Sequence, residues 1–272
     1  MFDTPVKATV FLGGGRITSA LVAGLRLAHY RRPILVHDRH PEKLRKLKRQ
    51  YGVEVEVNLR RAVQAANLLI IAVRPDSVSQ LLKEIAAQPI QSKVIAISLA
   101  AGIPLDKLQS MLKAPVLWAR AMPSPVCRSG QGLTALAFSR SISPARRKEV
   151  RHLFTSVGSV VEIPEKQFDA FTVTFSSSHG YHALAALSAA AETLGLDRKT
   201  ASLAAAHALA DGIAFWRKGN SPLPELLREA VTPGGIAGAV IESLDSAGYQ
   251  KTIANGLRAG IKRSRKNAAN FN

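Results

Sequence analysis

The chain has 272 residues, of which 47% are hydrophobic and 21% charged, and 37 Lys and Arg against 19 Asp and Glu give a formal net charge of +18. This length fits one large or two ordinary globular domains, and the single Cys127 excludes an intrachain disulfide framework and the common multi-cysteine zinc sites. The longest apolar runs, 68–73 and 183–191, are too short to cross a bilayer. The start of the chain shows no signal-peptide pattern, so we expect a protein of the reducing cytoplasm without membrane contact.

The first hundred residues alternate between strand-like and helix-like segments. Short β-prone runs are predicted to form strands at 8–12, 34–37, 68–73 and 94–98. Helical spacing of apolar residues, and a proline in the first turn of the second segment, predict helices at 17–30, 41–50 and 77–87. Strand–helix alternation of this kind is typical of an α/β fold with a doubly wound parallel sheet, the Rossmann type.

The composition changes near residue 165. From Phe168 onward the chain is rich in Ala and Leu, in stretches such as ALAALSAAAETLGL, and it has no strand-like run of comparable quality. We therefore predict an α/β domain over 1–164 and an all-helical domain over 165–272. Alanine-rich helices with this much apolar surface often need a partner chain to bury it.

A glycine-rich loop lies between the first predicted strand and the first predicted helix. It reads Gly13-Gly14-Gly15-Arg16-Ile17-Thr18. Gly13 permits the tight turn, Gly15 lets the backbone approach a pyrophosphate, and the phosphates would then lie against the positive N-terminal end of the helix that begins near Arg16 and Ile17. Thr18 takes the place of the third glycine, and we expect it to loosen the packing between helix and strand slightly. In this setting the loop predicts a dinucleotide site.

Two adjacent residues at the end of the second strand give conflicting signals about the dinucleotide. Asp38 lies 23 residues after Gly15, where an acid usually accepts hydrogen bonds from the ribose hydroxyls of NAD. Arg39 follows directly, with further cations on the next helix, and a guanidinium in this place clamps a 2′-phosphate. We favour NADP(H) over NAD(H), with Asp38 pointing away from the ribose, and NAD(H) stays open.

Several motifs follow one another along the chain. They are FLGGGRITSALVAGL, AVRPDSV, VIAISLAAGIPLDKL, RAMPSPVCRSGQGLTAL and EAVTPGGIAGAVIESLDSAG, followed by the basic IKRSRK. In their order and spacing these motifs resemble a known family, the pyrroline-5-carboxylate reductases. The resemblance implies a Rossmann domain over 1–164, a helical dimerisation and substrate domain over 165–272, and hydride transfer from a nicotinamide cofactor to a cyclic imine. It also implies a homodimer whose active site uses helices of both chains.

By position, the resemblance carries further cofactor residues onto this chain. Ala72, Val73 and Pro75 would line the adenosine and ribose side of the cofactor. Ala100, with the two residues that follow it, would lie near the nicotinamide, and Met122 would lie on a neighbouring loop together with Ser124, which is predicted to contact the substrate. Without the resemblance, these segments read as an ordinary strand end and a rigid packing loop.

The substrate half of the chain departs from the family pattern in three places. The family's Met-Pro-Asn-Thr-Pro is Met-Pro-Ser-Pro-Val at 122–126, and its Ser-Gly-Ser-Gly-Pro-Ala-Tyr is Phe-Ser-Ser-Ser-His-Gly-Tyr at 175–181. Its Val-Thr-Ser-Pro-Gly-Gly-Thr-Thr is Val-Thr-Pro-Gly-Gly-Ile-Ala at 231–237. Ile236 and Ala237 thus replace two threonines expected to hold the imine nitrogen and the carboxylate, and neither side chain can donate a hydrogen bond.

Other polar groups nearby can replace the missing threonines. A helix predicted to begin near His179 would aim its free N–H groups at an anion, and the hydroxyls of Ser176, Ser177 and Ser178 would complete a carboxylate cradle. His179 could deliver the proton to the imine nitrogen. A second candidate segment is the loop of Thr232, Gly234 and Gly235, with Thr232 as a candidate catalytic residue, like Ser177 and His179, and the two glycines as candidate substrate-binding residues. The alternative interpretation of the serines is a helix cap, with His179 as a polar capping residue.

Three other functions remain to be weighed. Loss of the threonines favours a reductase of a different imine or of a carbonyl compound, and an intact glycine loop beside an altered substrate motif also fits a non-catalytic dinucleotide-binding protein. Nucleic-acid binding is suggested only by the net charge and is disfavoured, because no aromatic residues interleave with the cations. We predict no metal, since no His and carboxylate cluster has metal-ligand spacing.

Overall fold

A computed structural model describes residues 7–88, 90, 94–113, 115–232 and 234–271. The chain divides into two compact units. Unit 1 comprises 1–175 and 260–272, and unit 2 comprises 176–259. The compact units therefore do not divide at the predicted boundary of 164/165. Residues 165–175 stay with unit 1 because Phe168 is buried against its sheet, and the end of the chain returns to unit 1.

Unit 1 contains one sheet. Among the described residues its strands are β1 Ala8–Leu12, β2 Ile34–His37, β3 Glu54–Val55, β4 Ala66–Ile71, β5 Ile95–Ser98, β6 Leu117–Pro123, β7 Gly132–Phe138 and β8 Gly158–Glu162. Their spatial order is β3-β2-β1-β4-β5-β6-β7-β8, and the pairs are parallel except β6 with β7. The predicted doubly wound α/β fold is confirmed, with one antiparallel pairing that the sequence analysis did not predict.

Helices follow most of the strands of unit 1. They are α1 Arg16–Leu27, α2 Pro41–Tyr51, α3 Leu59–Gln64, α4 Pro75–Ala86, α5 Leu105–Met111, α6 Pro144–Thr155 and α7 Phe168–Thr174. The predicted strands and helices of the first hundred residues are all present: β1 and β2 have the predicted ends, the others are shifted by one to three residues, and β3 and α3 were not predicted. The helix predicted at 17–30 stops at Leu27, because the chain turns there and His29 adopts a φ of 52°.

Two apolar layers cover the two faces of the sheet. Phe11 on β1 belongs to one buried cluster, whereas its neighbours Val10 and Leu12 belong to the other. Successive side chains of a strand point to opposite faces, so β1 is buried on both faces, and its one polar residue, Thr9, has a hydrogen-bond partner in Tyr30. Burial on both faces is why β1, β4 and β5 are largely continuous apolar runs. Because these strands are parallel, their carboxyl ends lie at the same edge of the sheet.

Unit 2 is helical, as predicted for this part of the chain. Its helices are α8 Ser177–Thr193, α9 Arg198–Lys218, α10 Leu223–Ala230, α11 Ile236–Ser246 and the first part of α12 Tyr249–Ala269. Asp197 begins α9, since its carboxylate accepts hydrogen bonds from the backbone N–H groups of Lys199 and Thr200. Within the described ranges, no helix combines the length and apolar character that crossing a membrane requires.

Candidate active site

The glycine loop forms an open turn between β1 and α1. Gly13 has a φ of 111°, and a Cβ on it would lie 2.7 Å from the carbonyl oxygen of Ala72, so only glycine fits there. A Cβ on Gly15 would meet no atom within 4 Å. Gly15 is also the residue before α1 and has no side chain to cap the N–H groups of its first turn. These residues fit a pyrophosphate, which needs close access to free N–H groups. Arg16 is exposed and Ile17 is half-buried at the start of the helix.

Thr18 strengthens the loop, so the expectation that it loosens the packing is wrong. Its side chain is buried, and its hydroxyl donates a hydrogen bond of 2.5 Å to the carbonyl oxygen of Gly13. The methyl and hydroxyl groups of Thr18 occupy space that a glycine would leave empty. The bond joins the first turn of α1 to the end of β1 and fixes the conformation of the loop.

The Asp38 carboxylate is buried under the glycine loop. One carboxylate oxygen accepts a 2.7 Å hydrogen bond from the N–H of Gly14 and faces Lys43 Nζ at 3.4 Å. The other oxygen accepts the N–H of His40 at 2.9 Å and lies 2.8 Å from His40 Nδ1. Asp38 therefore joins its own loop, through one oxygen, to the glycine loop, through the other.

The environment of Asp38 also sets its charge state. Burial by itself would raise the pKa of Asp38, but the hydrogen bonds from Gly14 and His40, together with the positive charge of Lys43, hold this pKa below its ordinary value. A carboxylate whose pKa is lowered on folding stabilises the folded chain at neutral pH. That contribution begins to be lost when the pH falls below about 4, the ordinary pKa of Asp in the unfolded chain. The loss is complete once the pH is below the lowered pKa of the folded chain.

The cofactor residues carried over by resemblance lie at the carboxyl ends of two neighbouring strands. Ala72 and Val73 follow β4 and are half-buried, and Pro75 opens α4, where its missing N–H needs no partner. Ala100 follows β5, is buried, and donates its N–H to Ser98 Oγ at 3.3 Å. In open α/β sheets, ligands bind outside the carboxyl ends of the strands. The contact between Gly13 and Ala72 brings the first of these segments to the glycine loop.

Met122 and Ser124 lie at the end of β6. Met122 is half-buried within the strand. Ser124 is buried, and its hydroxyl accepts a 3.2 Å hydrogen bond from the N–H of Val126, in the 3₁₀ turn that begins at Pro125. The structure thus gives Ser124 a capping bond, and the substrate contact predicted for it remains a prediction.

The serine segment begins α8 in unit 2. This helix starts at Ser177, two residues before the predicted start near His179. Ser176 is the capping residue, since its hydroxyl accepts the N–H of Ser178 at 3.3 Å and lies 2.6 Å from Ser178 Oγ. The backbone N–H of His179 donates to the carbonyl oxygen of Ser176, and the His179 residue is exposed. Two of the three hydroxyls therefore form a helix cap, and the role of a substrate cradle remains a prediction.

The second candidate segment of unit 2 begins α11. Gly234 has a φ of 72°, and Gly235 donates its N–H to the carbonyl oxygen of Thr232 at 2.9 Å. Gly235 precedes the helix without a capping side chain, and Thr232 is exposed. The loop therefore offers a hydroxyl beside an uncapped helix N-terminus, in which the first N–H groups lack intrahelical partners.

The sequence analysis missed a buried ionic cluster in unit 1. Arg120 on β6 is only 2% exposed, and its guanidinium binds Glu165 Oε1 at 2.9 Å and Asp169 Oδ1 at 3.2 Å. The guanidinium carbon also lies 4.1 Å from the centre of the Phe168 ring. One signal was available: an arginine inside the apolar strand sequence LWARAMP, since a buried arginine requires a partner.

Two known protein families match the chain, one in its first part and one in its last part. The family model described as NADP oxidoreductase coenzyme F420-dependent matches residues 9–102. The family model described as pyrroline-5-carboxylate reductase dimerisation matches residues 165–267. The first match covers the glycine loop and the ends of β4 and β5, and the second covers the whole of unit 2.

Curated relatives and solved structures agree along nearly the whole length. The chain is 31% identical to the pyrroline-5-carboxylate reductase of Mycobacterium tuberculosis, over 93% of this chain and 94% of that protein. It is 29% identical to that of Synechocystis, over 94% of this chain and 96% of the relative. A Plasmodium falciparum pyrroline carboxylate reductase, solved with NADP bound, shares the fold with a TM-score of 0.84 at 21% identity, covering 98% of this chain and 100% of that one. The chain belongs to the pyrroline-5-carboxylate reductase family.

Proposed function

We propose that this protein catalyses the NADPH-dependent reduction of pyrroline-5-carboxylate to proline. The observation that carries the proposal is the 31% identity to a pyrroline-5-carboxylate reductase over 93% of the chain. The open glycine loop supports it, because Gly15 and the uncapped start of α1 fit a pyrophosphate. A bound nicotinamide cofactor would supply the hydride.

The residues of unit 2 are proposed to bind the substrate and supply the proton. The imine carbon accepts the hydride, the imine nitrogen gains a proton, and the substrate carboxylate keeps its charge. We assign the carboxylate to the hydroxyls of Ser176, Ser177 and Ser178 and to the N-terminus of α8, and the proton to His179. We assign the loop of Thr232, Gly234 and Gly235 to contacts with the polar groups of the substrate. An unpaired carboxylate is costly to desolvate, so some donors must replace the family's threonines.

A coupled assay tests the proposal. Purified protein, NADPH and pyrroline-5-carboxylate should give equal amounts of oxidised cofactor and proline, measured by absorbance at the nicotinamide band and by amino-acid analysis. Turnover of another cyclic imine or of a carbonyl compound, with none of pyrroline-5-carboxylate, would replace the substrate assignment. Binding of NADPH without turnover of any of them would indicate a non-catalytic dinucleotide-binding protein.

The preference for NADPH is proposed from the arrangement around Asp38. Both carboxylate oxygens already have partners in Gly14, His40 and Lys43, which leaves Asp38 less capacity to accept hydrogen bonds from ribose hydroxyls. Arg39 is exposed beside them, where its guanidinium can bind a 2′-phosphate. NADH lacks this phosphate and gains nothing from Arg39.

Arg39→Ala should weaken NADPH binding by about 1.5–3 kcal/mol, the usual value of a hydrogen bond to a charged group, and leave NADH binding nearly unchanged. Fluorescence titration of both cofactors measures the two dissociation constants. Arg49→Ala is the control, because Arg49 is an exposed arginine in the last turn of α2, the helix that follows Arg39. Equal affinities of the wild type for NADPH and NADH would contradict the assignment.

A homodimer formed through the helical part is proposed from the exposed apolar side chains of unit 2. Leu194 is 86% exposed, Ile236 89% and Phe215 66%, and apolar surface of this extent usually marks an interface. Light scattering at micromolar concentration should therefore report twice the 29.2 kDa of one chain. A mass of a single chain at that concentration would contradict it.

A further inference from the structure

The end of α12 packs into unit 1. Phe271 is 5% exposed and joins the apolar cluster that contains Ala100, Ile103 and Trp118. Lys107 on α5 donates a 2.6 Å hydrogen bond to the carbonyl oxygen of Ala268. The last turns of the final helix are therefore fixed to the segment that follows β5.

A chain of polar contacts holds the same helix end from a second side. Ser264 is 5% exposed, and its hydroxyl donates a 2.7 Å hydrogen bond to Asp169 Oδ2. The other oxygen of Asp169 binds the buried Arg120. Glu165, the second partner of Arg120, also accepts the N–H of Leu105 at 3.0 Å. Every residue in this chain of contacts belongs to unit 1.

Two residues of α12 contact two consecutive residues, Ala101 and Gly102, in the segment that follows β5. Asn267 Nδ2 lies 3.2 Å from the carbonyl oxygen of Ala101, and a carbonyl oxygen can only accept, so the amide nitrogen must face it. Gly102 has a φ of 83°, and a Cβ on it would lie 2.5 Å from the carbonyl oxygen of Ser264. Asn267 thus fixes the peptide between Ala101 and Gly102, and glycine allows the helix to approach this closely.

This contact lies at the edge of the sheet where the nicotinamide half of a dinucleotide is expected. The glycine loop follows β1, and β4 and β5 come next in the sheet order. A dinucleotide crosses such a sheet at its carboxyl edge, with its two halves on opposite sides of the switch point. We propose that Asn267 is a positioning residue, which holds the Ala100–Gly102 segment so that this segment orients the nicotinamide for hydride transfer. The proposal rests on the proposed function, and no contact between Asn267 and the substrate is required.

The expected size of the effect follows from the sensitivity of hydride transfer to orientation. Reacting atoms must come within about 3–3.5 Å in line, and a displacement of about 1 Å can cost on the order of 100-fold in rate. Loss of one hydrogen bond to a loop carbonyl displaces the loop by less than that. We therefore expect a fall in kcat of about tenfold, with little change in cofactor affinity, because the adenosine half keeps its contacts.

Asn267→Ala tests the proposal in the full-length protein. It removes the donor, adds no charge, and favours the helix in which the residue lies. Lys107→Met is the matched control, because it removes a side-chain bond to a backbone carbonyl at the same helix end but leaves Ala101 with its partner. Both variants are measured for thermal midpoint, NADPH dissociation constant, fluorescence anisotropy of the bound nicotinamide, kcat, and the isotope effect with NADPH dideuterated at C4.

Asn267→Ala should lower the anisotropy of the bound nicotinamide and the kcat, and raise the isotope effect, while the NADPH dissociation constant stays within about twofold of the wild type. Lys107→Met should lower the thermal midpoint at least as much and change none of the other values. Asn267→Asp, similar in size to Asn but without the amide donor, should repeat the result of Asn267→Ala.

Wild-type anisotropy, kcat and isotope effect in both Asn267 variants would overturn the proposal and leave the contact with a purely structural role. The cofactor measurement separates this failure from failure of the proposed function. If the wild type binds NADPH without reducing pyrroline-5-carboxylate, the function fails and the anisotropy alone decides the role of Asn267. If it binds no nicotinamide cofactor, both proposals fail.

Discussion

His179→Ala is expected to lower the kcat for pyrroline-5-carboxylate reduction by about 10²–10⁴-fold, the usual contribution of a general acid or base. The imine nitrogen needs a proton, and the two family threonines are replaced by Ile236 and Ala237, which cannot donate one. His179 lies exposed in the first turn of α8. Steady-state kinetics with NADPH measure the effect, and the NADPH dissociation constant should not change.

Two further substitutions in α8 make this result specific. His182→Ala is the matched control: it removes an exposed histidine from the same helix three residues later, and kcat should stay at the wild-type value. Ser177→Ala should mainly raise KM, because it would remove a contact that binds substrate and transition state equally. Wild-type rates in both His179→Ala and Ser177→Ala would reduce the segment to a helix cap, and the chemistry would then lie on the Ser124 and Thr232 loops.

Arg120→Ala is expected to lower the free energy of unfolding by about 3 kcal/mol. The guanidinium is 2% exposed and binds two carboxylates, whose side chains are 32% and 36% exposed. Breaking a buried ion pair costs about 3–5 kcal/mol, and the partial exposure of Glu165 and Asp169 places the cost at the lower end, since water can solvate them afterwards. Urea unfolding followed by circular dichroism measures the change.

A surface arginine provides the comparison for Arg120. Arg151→Ala breaks a 3.3 Å ion pair with Glu162 in which both side chains are more than a third exposed, and exposed pairs contribute at most about 1 kcal/mol. Arg120→Met separates charge from volume, because it fills much of the space that alanine leaves. Equal urea midpoints for Arg120→Ala and Arg151→Ala would show that the buried cluster does not hold unit 1 together.

The sequence alone determined the part of the fold that local patterns encode. Strands β1, β4 and β5 are buried on both faces, so nearly all their residues are apolar and the runs stand out. Glycines at 13–15 and prolines that open α2 and α4 mark the boundaries between strand and helix. Strands β6, β7 and β8 were missed because polar residues interrupt them: Arg120 in β6 and Thr134 in β7 are buried, and the partners of Arg120 are distant carboxylates that no local pattern reports.

The glycine loop was identified from its place between a strand and a helix, and the tertiary structure leaves space beside Gly15. Binding of a dinucleotide by this loop remains a prediction. The orientation of Asp38 was not predictable. Its partner is the N–H of Gly14, 24 residues earlier, and that contact exists only because β1 and β2 are neighbours in the sheet.

Only the tertiary structure decided which polar side chains meet across the chain. Asn267 and Ala101 are 166 residues apart, and Arg120 and Asp169 are 49 apart. Sequence periodicity reports which face of one helix or strand is apolar, and it carries no record of which distant element packs there. A buried polar group must find a partner, so the sequence predicts that Arg120 has one. The identity of that partner depends on tertiary packing, which brings the sheet, the segment after residue 164 and the end of α12 together.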